Sequence, residues 1–112
     1  MRAARTLPTV IAAVSIVRGA AEGMAEAGRL AADAVRSWLR DYDGFRGLVV
    51  MTDEDGEKAR IITFWATPEA EERARPGRGA MRDKLVGTVG MEVVGMELYD
   101  VPVLEVLADG AR

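Results

Sequence analysis

The chain contains no cysteine and no histidine, and it has no asparagine or glutamine either. Without cysteine there is no disulfide framework, no thiolate nucleophile and no sulfur-ligated metal. Without histidine, Ser-His-Asp chemistry, imidazole proton transfer, histidine-ligated haem and nearly all zinc geometries are excluded. The missing carboxamides narrow the field again. Any oxyanion must be held by backbone N–H, Arg, Lys, Ser, Thr, Tyr or Trp. A net charge of −3 offers phosphate no general attraction, so nucleic acid is not an expected partner.

What is present is balanced. Of 112 residues, 49% are apolar and 29% charged, the proportions of a soluble globular domain. A chain of this length buries roughly two thirds of its unfolded surface and needs no disulfide or metal to fold. The expectation is one domain over residues 1–112, with its core at about 9–100 and residues 101–112 as a C-terminal arm or edge strand. The start, MRAAR followed by LPTVIAAVSIV, has the outline of a signal peptide. The rival reading is a buried first strand, because Val10, Ile11, Val14, Ile16 and Val17 are β-branched and Arg18-Gly19 closes the run. The strand is preferred, since its removal would leave the sheet one strand short. The run is well below the ~20 apolar residues that a membrane span requires. No membrane partner is expected, and the expected compartment is the cytoplasm.

After Gly19 the pattern turns helical. Met24, Ala27, Ala31, Ala34, Val35, Trp38 and Leu39 form one apolar stripe at three- and four-residue steps, so Trp38 reads as core. The helix is expected to stop at Asp41-Tyr42-Asp43-Gly44. Two apolar strands follow, Phe45 to Thr52 and Lys58 to Ala66, joined by the acidic turn Asp53-Glu54-Asp55-Gly56-Glu57; this is a hairpin signal. Thr67 then caps a second helix, with Pro68 at its first position. That helix is predicted to break at Arg75-Pro76-Gly77-Arg78-Gly79 and to resume from Ala80 to about Val86, with Met81 and Leu85 turned inward. Met91 to Tyr99 is the last long strand; Pro102 ends it, and Val103 to Leu107 is a short edge strand or an arm.

The order is β-α-β-β-α-β, a ferredoxin-like α+β domain with an antiparallel four-stranded sheet and both helices on one face. Leu48/Val50 and Val49/Met51 point to opposite sides of one strand, and both pairs are apolar. A sheet apolar on both faces calls for a partner, and a second copy stacked sheet on sheet supplies it. A homodimer is therefore predicted.

Three phrases carry a likeness to a known family: Arg18-Gly19 after the first strand, Tyr42-Asp43-Gly44-Phe45-Arg46-Gly47 before the second, and Ile62-Thr63-Phe64-Trp65-Ala66-Thr67 into the second helix. Over roughly residues 9–100 the chain resembles the dimeric α/β barrel superfamily, and within it the antibiotic biosynthesis monooxygenase type. The resemblance implies a substrate pocket between sheet and helices, with the tryptophan at the Trp65 position in its wall. It also implies enzymes that oxidise phenolic polyketides to quinones without a cofactor, and haem-degrading relatives. An arginine of the second helix lies near the substrate in some quinone-forming members, and Arg82 is its counterpart here. This chain departs from the pattern at about Ala12, where members of both groups often carry asparagine, and in lacking the histidine that haem ligation needs.

Each candidate has two readings. Trp65 is a pocket wall that stacks on a planar ligand, or a core anchor burying about 150–250 Å². Arg82 holds a phenolate or enolate in a water-poor cavity, or is a solvated helix charge. Tyr99 donates a proton to reduced oxygen or a carbonyl, or is a half-buried strand aromatic. Arg60, on the same strand face as Ile62 and Phe64, points into a cavity or reaches the sheet edge. Phe64, Met81 and Leu85 complete the expected lining, in a chain with 6 methionines. Tyr42 reads as structural. The Asp53-Glu54-Asp55 tip matches no calcium loop, and Gly77-Arg78-Gly79 is no phosphate loop. The expected activity is cofactor-independent monooxygenation of an aromatic phenol, with no cofactor and no metal. The alternative is a non-catalytic dimeric module that binds a small ligand or helps a larger enzyme.

Overall fold

A computed structural model describes residues 10–107; the signal-peptide outline at residues 1–9 lies outside them. The elements run β1 (Val10–Arg18), α1 (Ala21–Ser37), a 3₁₀ turn (Leu39–Asp41), β2 (Phe45–Thr52), β3 (Lys58–Trp65), α2 (Pro68–Thr88) and β4 (Glu92–Val101). The four strands form one sheet in the order β2-β3-β1-β4, every neighbouring pair antiparallel. Both helices pack on one face. This is the ferredoxin-like arrangement that the β-α-β-β-α-β order predicts.

The period-two rule assigns each strand residue to a face. Ile11, Ala13, Ser15 and Val17 of β1 face the helices, in register with Trp65, Thr63, Ile61 and Ala59 of β3. Val17 and Ala59 pack with Met24, Ala27 and Val86 in one core cluster. Ile11, Ala13 and Trp65 pack with Ala70 and Ala74 in a second. On the outer face the register gives cross-sheet rows such as Val49-Ile62-Val14-Glu97 and Gly47-Phe64-Ala12-Tyr99. Apolar side chains dominate it; Val49 and Met51 are exposed there.

Local chemistry explains the joints. In the hairpin, Asp53 Oδ1 accepts from the backbone N–H of Glu57 and Lys58 at 3.1 and 3.3 Å, while Gly56 takes a φ of +74° that few other residues adopt. Gly44, with φ +82°, lets β2 start against α2: a Cβ there would lie 2.5 Å from the Ala70 Cβ. Thr67 caps α2, its Oγ1 accepting from the Ala70 N–H at 3.0 Å.

The expected break in α2 does not occur. The helix runs unbroken from Pro68 to Thr88 with Pro76 inside it. Pro76 removes one backbone donor, yet side chains bridge the weak turn. Glu71, before the proline, takes both the Arg75 guanidinium and the Nη2 of Arg78 beyond it. Gly77 packs directly beneath the Tyr42 hydroxyl. Two further boundaries shift. β4 continues through Val101, and residues 103–107 form no strand; Val103, Val106 and Leu107 are exposed.

Candidate functional site

The central strand shapes the site. Between the bulky Ile11 and Val17, β1 presents only Ala13 and Ser15 to the helix layer, so α2 is propped at both ends and leaves a hollow between. The result is a cavity of about 420 Å³ between α2 and the β1–β4 half of the sheet. That volume is in the range of small-molecule sites. Its floor is Ala13, Ser15, Met96 and Leu98; its roof is Glu71, Arg75, Arg78, Gly79 and Arg82. The open side lies at the β4 edge, where Met96 and Leu98 are exposed. A smaller apolar pocket of about 50 Å³ lies between the two helices and β2–β3, lined among others by Trp38, Leu48, Met81 and Leu85. Arg78 and Arg82 line both spaces and form the partition between them.

The electrostatics are concentrated on α2. Residues 71, 75, 78 and 82 recur at three- and four-residue steps, which places them on one helix face. Glu71 is only 1% exposed and holds Arg75 side-on, while its Oε2 also accepts from Arg78 Nη2 at 2.6 Å. Burial, reinforced by the neighbouring Arg82 and Arg75, pushes the Arg78 pKa down, with Glu71 opposing. Arg78 Nε is buried with no acceptor among the described residues. Arg82 rests Nε and Nη2 on Asp83 Oδ1 at the surface, at 2.9 and 2.8 Å. Its Nη1 reaches into the cavity, 3.2 Å from the Ser15 hydroxyl and 2.8 Å from the Met96 sulfur. A hydroxyl and a thioether are modest acceptors for a guanidinium.

The sequence-expected site residues divide into three groups. Arg82 lines the main cavity; Met81 and Leu85 line the small inter-helix pocket. Trp65 lines neither. It is fully buried, its Nε1 donates to Thr63 Oγ1 at 2.9 Å, and Phe45 and Tyr42 pack edge-on and tilted against it at 5.4 and 6.2 Å. It therefore anchors the core behind the site. Arg60, Phe64 and Tyr99 stand on the outer face, away from the helices, because strand neighbours alternate: Phe64 must point opposite to Trp65. The Tyr99 hydroxyl donates to Glu97 Oε1 at 2.7 Å on that face. Sequence reading missed Ser15, Glu71, Arg75 and Arg78. The helical spacing of the last three was visible, but the Pro-Gly steps among them pointed to a break.

The ferredoxin-like fold of the chain is that of solved antibiotic biosynthesis monooxygenase-like proteins. The solved structures it is similar to include a monooxygenase from Streptomyces coelicolor, the ActVA-Orf6 product, in complex with nanaomycin D. That match has a TM-score of 0.64 and 18% identity, over 91% of this chain and 94% of the other. SnoaB, a cofactor-independent oxygenase from Streptomyces nogalater, matches with a TM-score of 0.55 and 17% identity, over 90% and 99%. The haem degrader MhuD from Mycobacterium tuberculosis, solved with two haems in its active site, matches with a TM-score of 0.53 and 19% identity, over 88% and 99%. No family model and no curated protein matches the chain.

Haem does not fit this cavity. The chain has no histidine, and the polar groups turned to the hollow are guanidiniums, one carboxylate already shared by two of them, and a hydroxyl. Among the described residues no helix is long and apolar enough to cross a membrane.

Proposed function

We propose that the protein is a small cofactor-independent monooxygenase acting on an aromatic phenol held between α2 and the sheet. The observation that carries this reading is Arg82 Nη1, aimed into the cavity with only Ser15 and Met96 as partners among the described residues. A phenolate or enolate oxygen placed there is a far better acceptor, and a fixed guanidinium in a water-poor site favours the ionised form. The electron-rich anion then reduces O₂ directly. For a hydroxyanthrone, the ring methylene gives up two hydrogens, which leave with one oxygen atom as water. The other oxygen atom remains as the new quinone carbonyl. Tyr99 has no part in this scheme, because its hydroxyl is engaged on the opposite face.

The fold shared with oxygenases supports the reading, and the missing imidazole limits it to substrates that are easily deprotonated. A second reading is a ligand-binding module without turnover, favoured by the absence of any His, Cys or Tyr among the cavity-lining residues. Oxygen uptake with a hydroxyanthrone, in chelator-treated buffer without flavin or haem, separates the two. Uptake lost in Arg82→Ala supports the enzyme; calorimetric binding without uptake supports the module.

The proposal includes a homodimer joined through the outer sheet faces. Its support is the outer face of the sheet, where Val49 and Met51 are exposed beside the half-buried Ile62 and Phe64, an area too apolar to suit water. Light scattering should report a dimer, and Ile62→Asp should yield monomers. A monomeric parent protein at micromolar concentration overturns this part.

A further inference from the structure

The small pocket between the helices and β2–β3 takes no part in holding the phenol. It arises where α1 contributes only the small side chains of Ala31 and Ala34, between the larger Trp38, Leu48, Met81 and Leu85. Its volume of about 50 Å³ admits no aromatic ring, since an engineered apolar cavity that holds benzene measures ~150 Å³. Water is excluded for a different reason. A buried water needs about two to four polar partners, and the polar atoms around this space are turned elsewhere. Thr63 Oγ1 accepts from Trp65 Nε1, Arg78 Nη2 holds Glu71, and the Arg82 guanidinium is spread over Asp83, Ser15 and Met96. The two arginines thus give the pocket their methylene stems. A core void that stays empty forfeits packing energy.

We infer that this pocket is a dioxygen site, which holds O₂ across the Arg78–Arg82 partition from the phenol. The inference rests on the oxygenase reading above and adds to it the place where the second substrate waits. O₂ is uncharged and a poor hydrogen-bond acceptor, so the guanidiniums and carboxylate of the main cavity offer it little. An apolar space without water favours it over solution. Met81, 38% exposed, gives the pocket an apolar rim at the protein surface, whereas the main cavity opens at the β4 edge. Gas and phenol therefore enter by separate openings, and neither blocks the other. Arg82 stands between them. Its stem borders the pocket and its Nη1 reaches the phenol side, so O₂ that passes it arrives beside the oxyanion that reduces it.

Xenon is the probe, because it fills the same kind of apolar space and is chemically inert, so occupancy is read apart from turnover. Crystals of the parent protein under xenon pressure should show an anomalous peak among Ala34, Leu48, Met81 and Leu85. Ala34→Leu fills the pocket from α1 and should abolish that peak. It should also raise the KM for O₂ about fourfold, the factor that burying one methylene-sized apolar group is worth. The KM for the hydroxyanthrone, and kcat at saturating O₂, should not move. Where Ala34→Leu overpacks and unfolds, the smaller Ala34→Val reads the same quantities. No xenon peak in the parent protein overturns the inference and leaves the oxygenase reading standing. A filled, xenon-free pocket with an unchanged KM for O₂ does the same. An equal rise in the hydroxyanthrone KM overturns it too, by making the pocket part of the phenol site. If xenon binds but no hydroxyanthrone is oxidised at any O₂ concentration, the oxygenase reading falls and the O₂ assignment falls with it.

Discussion

Arg82 Nη1 donates to the Ser15 hydroxyl at 3.2 Å, tying the second helix to the central strand across 67 residues of sequence. Ser15 is 3% exposed and is the one hydroxyl on a strand otherwise made of apolar side chains between Val10 and Val17. A buried hydroxyl needs a partner, and the guanidinium supplies it while being aimed by it.

Ser15→Ala therefore has two expected effects. Urea denaturation should show a loss of about 1 kcal/mol, the net worth of one such hydrogen bond. Oxygen uptake with a hydroxyanthrone should fall about tenfold, mainly in kcat, because Ser15 positions the guanidinium rather than binding the ring. A loss confined to KM would mean that the hydroxyl touches substrate instead.

The hydrogen bond also shows where sequence reading succeeds and where it stops. The apolar runs Phe45–Thr52 and Lys58–Ala66, the Asp53–Gly56 turn and the Thr67-Pro68 cap are local signals, and the elements formed where local chemistry placed them, β3 ending one residue early at Trp65. Arg82 was legible for a different reason, through its place in a family resemblance. Ser15 was hidden because one hydroxyl does not disturb an apolar strand pattern. Arg78 and the unbroken helix were hidden because Pro76 and its glycines are strong local breakers, overruled by the distant Tyr42 and by Glu71 across the turn. The misplacement of Phe64, Arg60 and Tyr99 was avoidable: residues 60, 62 and 64 share a face, and residues 59, 61, 63 and 65 share the other.

Glu71 should be the most sensitive charged residue in the protein. Glu71→Ala leaves Arg78 buried without its carboxylate and unties both sides of Pro76, and should cost about 3 kcal/mol or more in urea denaturation. Arg75→Ala removes a partner whose side chain is half exposed, and should cost about 1 kcal/mol or less. Equal losses would show that the buried carboxylate is not the centre of the network.

Two glycines should respond in opposite directions to the same change. A methyl group added to Gly28, inside α1, would meet nothing within 4 Å, so Gly28→Ala should stabilise by about 0.5–1 kcal/mol through reduced unfolded-state freedom. At Gly77 the same methyl would lie 2.5 Å from the Tyr42 hydroxyl oxygen, and Tyr42 is held between Trp38 and Trp65. Gly77→Ala should therefore lower the thermal midpoint, and Tyr42→Phe in the same chain should restore part of it. If Gly77→Ala is stabilising, the close seat of Tyr42 on α2 is wrong.

On the outer face, the hydrogen bond from Tyr99 to Glu97 raises the phenol pKa above its ordinary value of 10.0; desolvation and the charge of Glu97 add to the rise, and Arg60 opposes it. A phenol with a raised folded-state pKa stabilises the fold fully below the unfolded value, and that contribution is lost as pH rises through the folded value. The difference in tyrosinate absorbance between the parent protein and Tyr99→Phe isolates this group from Tyr42. Its midpoint should lie above that of a free phenol, and Glu97→Gln should move it downward by removing the charge. Arg60→Ala should move it upward, because the opposing cation is gone. An unchanged midpoint in Glu97→Gln would separate Tyr99 from Glu97 and leave the outer face without this polar pair.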